Sequence, residues 1–97
     1  MVTYVMEDGK LICSFSDKLD TNTCSKIDTE LLAKVSDAKC PVVFNMQGVE
    51  YVASSFLRIC IQVSKLAGAS NFSIINVSPL VKKVFKIAGF DKLLNVT

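Results

Sequence analysis

The 97-residue sequence predicts a single α/β domain built on a mixed sheet, with an antiparallel hairpin at its start and parallel strands after it. Three observations carry this reading. Asp8-Gly9, flanked by alternating apolar residues, is a strong two-residue hairpin signal. From Pro41 onward, short apolar runs of strand length alternate with longer stretches whose apolar residues recur every three or four positions, which implies parallel strands joined by right-handed crossovers. The length suits one core and is too short for two. A hydrophobic fraction of 51% is enough to bury roughly two-thirds of the surface that an unfolded chain of this size exposes.

The elements follow in order. Val2 to Glu7 reads as a strand alternating at Val2, Tyr4 and Met6, and Lys10 to Ser16 as its return, with Leu11, Cys13 and Phe15 on one face. Ile12 breaks the alternation, so both faces are expected to be partly covered. Asp20-Thr21-Asn22-Thr23 supplies residues that satisfy free N–H groups at a helix start. Cys24, Ile27, Leu31 and Val35 then mark the buried stripe of a helix ending near Ser36-Asp37, with Lys26, Asp28, Glu30 and Lys34 on its wetter side. Val42 to Met46, between Pro41 and Gly48, has the look of a strand buried on both faces. Gln47-Gly48 is a turn, and Val49 to Ala53 a short extended connection.

Ser54-Ser55 opens a second helix that Gly68 stops. Its apolar positions, Phe56, Leu57, Ile59, Cys60, Ile61, Val63 and Leu66, form a broad stripe. Phe72 to Asn76 is another strand of the buried type. Ser78 and Pro79 suit the cap and first turn of a third helix. Leu80, Val81, Val84, Phe85 and Ala88 are its expected inner face, Lys82, Lys83 and Lys86 its outer face, and Gly89 its stop. The tail to Val96 is apolar enough to dock through Phe90, Leu93, Leu94 and Val96.

Composition narrows the function. A net charge of +2 with 21% charged residues suggests neither a disordered chain nor a dedicated nucleic-acid binder. Mean hydropathy is high, +0.42, yet no apolar run approaches the ~20 residues of a membrane span: Phe56 to Val63 is interrupted by Arg58 and Gln62. The N-terminus lacks the basic start and apolar core of a signal peptide. A soluble cytoplasmic domain with no membrane contact is expected. Cys13, Cys24, Cys40 and Cys60 form no CxxC pair, so free, largely buried thiols are expected rather than disulfides or zinc. With no histidine, Ser-His and Cys-His dyads are excluded. Cys24 is the best nucleophile candidate, because a helix start depresses a thiol pKa, but no base, phosphate loop or metal set accompanies it. The expected chain is not an enzyme and holds no cofactor.

Three landmarks give the sequence a family likeness. The first is Lys18-Leu19-Asp20 after the second strand. The second runs from Val42-Val43-Phe44-Asn45-Met46 through Gln47-Gly48 to Tyr51-Val52-Ala53-Ser54-Ser55 at a helix start. The third runs from Asn76-Val77-Ser78-Pro79 through the last helix and Gly89-Phe90-Asp91 to Lys92-Leu93-Leu94. In order and spacing they resemble the STAS domain of bacterial anti-sigma factor antagonists, over nearly the whole chain. The resemblance implies a protein-binding module that, unphosphorylated, engages an anti-sigma factor that is also a serine kinase, and is released when that kinase phosphorylates a serine at the second helix's start. A phosphatase restores it. The resemblance places the acceptor at Ser55, with Ser54 the alternative, and the partner-binding surface at Asp20, Thr21, Tyr51, Ala53, Ser54, Phe56 and Arg58. An adaptor of the same fold, never phosphorylated and serving a signalling or transport assembly, is the alternative.

Ala53 stands where the family usually has Asp, Phe56 where it usually has Gly, and Lys18 where Gly is common. A phenylalanine at 56 either obstructs an approaching kinase or is itself an exposed docking residue. Each candidate also has a plainer reading. Ser54, Ser55 and Asp20 are ordinary capping residues. Lys82, Lys83 and Lys86 form either a solvated face or a face for an acidic partner. Arg58, three or four residues past the serines, contacts a phosphate there or forms a surface ion pair.

Overall fold

The computed structural model describes residues 2–16, 18–90 and 94–97, without the side chain of residue 69. Leu93, one of the expected docking residues of the tail, lies outside them. Strands β1 (Val2–Glu7) and β2 (Lys10–Phe15) form the hairpin. Asp8 and Gly9 both take positive φ, 53° and 75°, the backbone that a tight hairpin turn demands and that Gly adopts without strain. A short strand β3 (Lys18–Leu19) leads into helix α1 (Thr21–Ala38). Strand β4 (Val42–Asn45), a second short strand β5 (Tyr51–Val52) and helix α2 (Ser54–Ala67) follow. A 3-10 turn, Ala69–Asn71, precedes strand β6 (Phe72–Ile75) and helix α3 (Pro79–Ile87).

The main sheet has the order β1-β2-β4-β6, antiparallel only between β1 and β2. The predicted hairpin and parallel run are both present. Beyond β6, Val96 makes a parallel bridge to Ile74, and the Ile74 amide donates to the Asn95 carbonyl at 3.2 Å. The tail thus covers one sheet edge, with Leu94 and Val96 buried.

The core lies between the sheet and its helices. Cys13, Phe44 and Ile74 are fully buried on the sheet side, Leu31, Phe56, Cys60 and Val63 on the helix side. Phe44 sits at the centre of an aromatic group, with ring centroids 4.9 Å from Phe15 and 4.8 Å from Phe72, both edge-on, the arrangement that ring quadrupoles favour. Cys13, Cys24 and Cys60 are buried free thiols and Cys40 a half-buried one, as expected.

Several expectations change. β4 and β6 alternate buried with half-buried positions rather than being sealed on both faces. Met6 is exposed because β1 is the sheet's open edge, and Leu66 because it falls in the last turn of α2, next to the Gly68 stop. The inner face of α3 is narrower than its apolar content suggested: Val81 and Phe85 are buried, whereas Leu80, Val84 and Ala88 are exposed. A nine-residue helix seated at the rim of the domain touches the core along one line only.

Candidate functional site at two paired helix starts

The short strands β3 and β5 pair in parallel, Lys18 with Tyr51 and Leu19 with Val52. Each is followed at once by the cap of a helix, Asp20 for α1 and Ala53 for α2. Continuing the ladder by one residue sets those caps side by side, and the Ala53 amide donates to the Leu19 carbonyl at 2.8 Å. Two helix N-termini, each carrying unpaired N–H groups and partial positive charge, therefore open on one side of the molecule.

The two ends are finished differently. Asp20 accepts a hydrogen bond from the Thr23 amide at 2.8 Å. That bond, with Lys18 and Lys26 nearby, holds the carboxyl below the usual aspartate range. Ala53 has no side chain that can cap, and no acidic residue follows in the first turn of α2. The serines are thus not caps, as the plainer reading had them, but the first two residues of the helix. Among the described residues, a main-chain bond from the Phe56 amide to the Ala53 carbonyl at 3.0 Å closes this end.

The two serines differ in access. Ser54 is exposed. Ser55 is half-buried, and its Oγ is shielded from solvent without a hydrogen-bond partner among the described residues. The Cys24 thiol faces it, and the hydroxyl acts to lower that thiol's pKa. The thiol donates to the Leu19 carbonyl at 3.6 Å; sulfur is a weak acceptor, and its approach to the hydroxyl falls short of a hydrogen bond, which leaves the hydroxyl unsatisfied among the described residues. Burial outweighs it and pushes the Cys24 thiol up, opposite to the depression that a nucleophile near a helix start would need.

Thr21, Ser25 and Asp28 of α1 face Ser55, Arg58 and Gln62 of α2 across a shallow cleft of about 320 Å³. Arg58 is exposed and, among the described residues, forms no ion pair. One turn along α2, it lies on the same helix face as Ser54. Tyr51 and Thr21 are exposed beside the two caps. Two expected surface residues are interior instead. Phe56 is fully buried, its ring 5.3 Å from that of Phe15 and 6.0 Å from that of Phe44. As the third residue of α2 it faces the sheet, so it neither blocks nor docks a visitor. Ala53 is buried by the β3–β5 ladder. The pairing of β3 with β5 escaped sequence reasoning: two-residue strands carry no periodicity, and their only signal was the apolar Leu19 and Val52 immediately before each cap. Among the described residues no group of His, Cys, Asp and Glu could hold a metal, and no helix is long and apolar enough to cross a membrane.

BtrV of Bordetella bronchiseptica, assigned as an anti-sigma factor antagonist, is 27% identical over 91 residues, 92% of this chain and 78% of that one. An anti-sigma-factor antagonist (STAS) domain protein from Planctomyces limnophilus has the same fold, with a TM-score of 0.89 at 21% identity over 98% of this chain and 87% of that one. The anti-sigma factor antagonist SpoIIAA matches in its unphosphorylated form with a TM-score of 0.80 at 18% identity, over 100% of this chain and 88% of that one. The phosphorylated form of SpoIIAA, from Bacillus, gives 0.71 at 17% identity, over 100% and 91%. Residues 2–95 match the family described as Mlab, STAS domain, and on that match the chain belongs to the STAS domain family.

Proposed function

We propose that this chain is a non-enzymatic switch of the anti-sigma factor antagonist type. It binds an anti-sigma factor that is also a serine kinase through the surface around the two paired helix starts, and phosphorylation at the mouth of α2 releases it. A phosphatase resets it, and the cycle runs in the cytoplasm. The observation that carries this reading is Ser54, a solvent-facing hydroxyl on the first residue of a helix whose end lacks both a side-chain cap and an acidic residue. We take Ser54 rather than Ser55 as the acceptor, because the Ser55 oxygen is shielded.

The chemistry fits that position. A phosphate brings about −1.5 to −2 charges and three acceptor oxygens. At Ser54 those oxygens would meet free N–H groups and the positive end of the helix, with Arg58 one turn away. The domain tolerates the group, whereas a partner packed on Tyr51 and Thr21 meets a hydrated dianion. Binding is lost without refolding. SpoIIAA, known in both phosphorylation states, supports the type of switch.

The test is partner affinity by titration calorimetry, using candidate anti-sigma factors of the serine-kinase type from the same organism. Ser54→Asp is expected to weaken binding at least tenfold and Ser54→Ala to retain it. A partner that binds Ser54→Asp and Ser55→Asp as tightly as the unmodified chain would identify an adaptor without a switch.

A further inference from the structure

The outer face of α3 is apolar where a solvated helix would be polar. Leu80 is 64% exposed and Ile87 77%, with Val84 beside them at 37%. Their spacing of four and then three residues is that of a helix-packing seam. At about 100° per residue they fall within about 60° of one another. Lys83 and Lys86 run along one flank of this stripe. With Pro79, Lys82 and Ile87 they border an open concavity of about 790 Å³. The other flank returns to Val81 and Phe85, which anchor α3 in the core.

Charge indicates what fits there. Between Tyr51 and Phe90 the chain carries five cations, Arg58, Lys65, Lys82, Lys83 and Lys86, and no acidic residue. Three of the five are on α3. A second copy of the chain would bring two sets of these lysines together. A membrane surface favours lysines on both sides of the apolar stripe, where they can snorkel, but here they occupy one. We propose that the outer face of α3 docks a helix of a protein partner, one whose apolar seam packs on Leu80, Val84 and Ile87 and whose acidic flank pairs with Lys83 and Lys86. This surface shares no residue with the serine switch, although α3 packs against β5, the strand that carries Tyr51, and the proposal does not rest on that switch.

The probe is a synthetic amphipathic peptide with leucines at seam spacing and glutamates along one flank, titrated into the isotope-labelled full chain and followed by amide chemical shifts. The expected shifts are confined to residues 79–88. Affinity should fall at least tenfold in L80S/I87S, at least fivefold in K83E/K86E, and steeply with added salt. A peptide with lysines in place of the glutamates should bind K83E/K86E better than the unmodified chain. All substituted side chains are exposed, and a thermal melt checks that each variant stays folded. Ser54→Asp should leave peptide binding unchanged, so failure here and failure of the switch are separable. Shifts elsewhere on the surface, or affinity indifferent to charge reversal, would overturn the proposal. So would uptake by phosphatidylglycerol vesicles without peptide binding, or a dimer in sedimentation that I87S dissolves.

Discussion

Replacing Ser55 with alanine should make the domain more stable. Its Oγ is shielded from solvent and has no hydrogen-bond partner among the described residues, and a buried hydroxyl in that state costs about 1–3 kcal/mol. Alanine is also the better helix former, by up to about 0.5 kcal/mol at an interior position and less in a first turn. Against these stand the lost contacts of one oxygen and its weak approach to the Cys24 thiol. The net expectation for Ser55→Ala is a gain of about 1 kcal/mol, or about 4–8 °C in Tm for a domain of this size. Ser54→Ala removes an exposed hydroxyl and should stay within about 0.5 kcal/mol of the original. Aspartates should separate the two positions further. At 54 the carboxylate meets an uncapped helix start, worth about 0.3–1 kcal/mol. At 55 the carboxylate starts from a position whose oxygen is shielded from solvent and loses part of its hydration, so Ser55→Asp should be the less stable of the two aspartate variants. Urea unfolding of the four variants at neutral pH reads these differences directly. A loss of 1 kcal/mol or more in Ser55→Ala would show that the hydroxyl is well bonded, and the ranking of the two serines would fall with it.

Other expectations follow from the same geometry. Phe56→Ala removes a fully buried ring packed against Phe15 and Phe44 and should cost about 3–5 kcal/mol, seen as a lower denaturation midpoint. Because the Asp20 carboxyl is held below its ordinary value in the folded chain, its contribution is present above the unfolded pKa of about 3.9 and is lost as pH falls through the folded value. Stability should therefore drop below about pH 4, less steeply in Asp20→Asn, which acid titration followed by circular dichroism measures. The thiols act in the opposite direction. Burial pushes Cys13 up to about 12, so its contribution is complete below the unfolded pKa of about 8.5 and is lost as pH rises toward 12. Alkaline melts should show stability falling by up to about 1.4 kcal/mol per pH unit for each such thiol, and Cys13→Ala should flatten that slope.

The sheet was legible because its signals are local. Asp8-Gly9 dictates the hairpin, and Gly68 stops α2 with a φ of 93°. Asp20 and Ser78 cap α1 and α3 with their own side chains. The site was only half legible, because what distinguishes its residues is direction rather than type. Ser54 and Ser55 are identical in the sequence, yet successive helical residues point about 100° apart, enough to send one hydroxyl into water and the other against Cys24. Phe56 shows the same effect. An aromatic residue at a helix start gives no sign of its orientation until the sheet beneath supplies Phe15 and Phe44. On α3, apolar identity overstated burial, because the rim of the domain offers that helix only one line of contact.

The most direct test of the switch is to incubate the chain with ATP and an anti-sigma factor kinase of the kind the proposal requires, and to locate any added phosphate by tandem mass spectrometry. The expected product carries one phosphate, on Ser54, and Ser54→Ala abolishes it while Ser55→Ala does not. A phosphate on Ser55 or elsewhere, or a chain left unmodified by a kinase that binds it, would contradict the account.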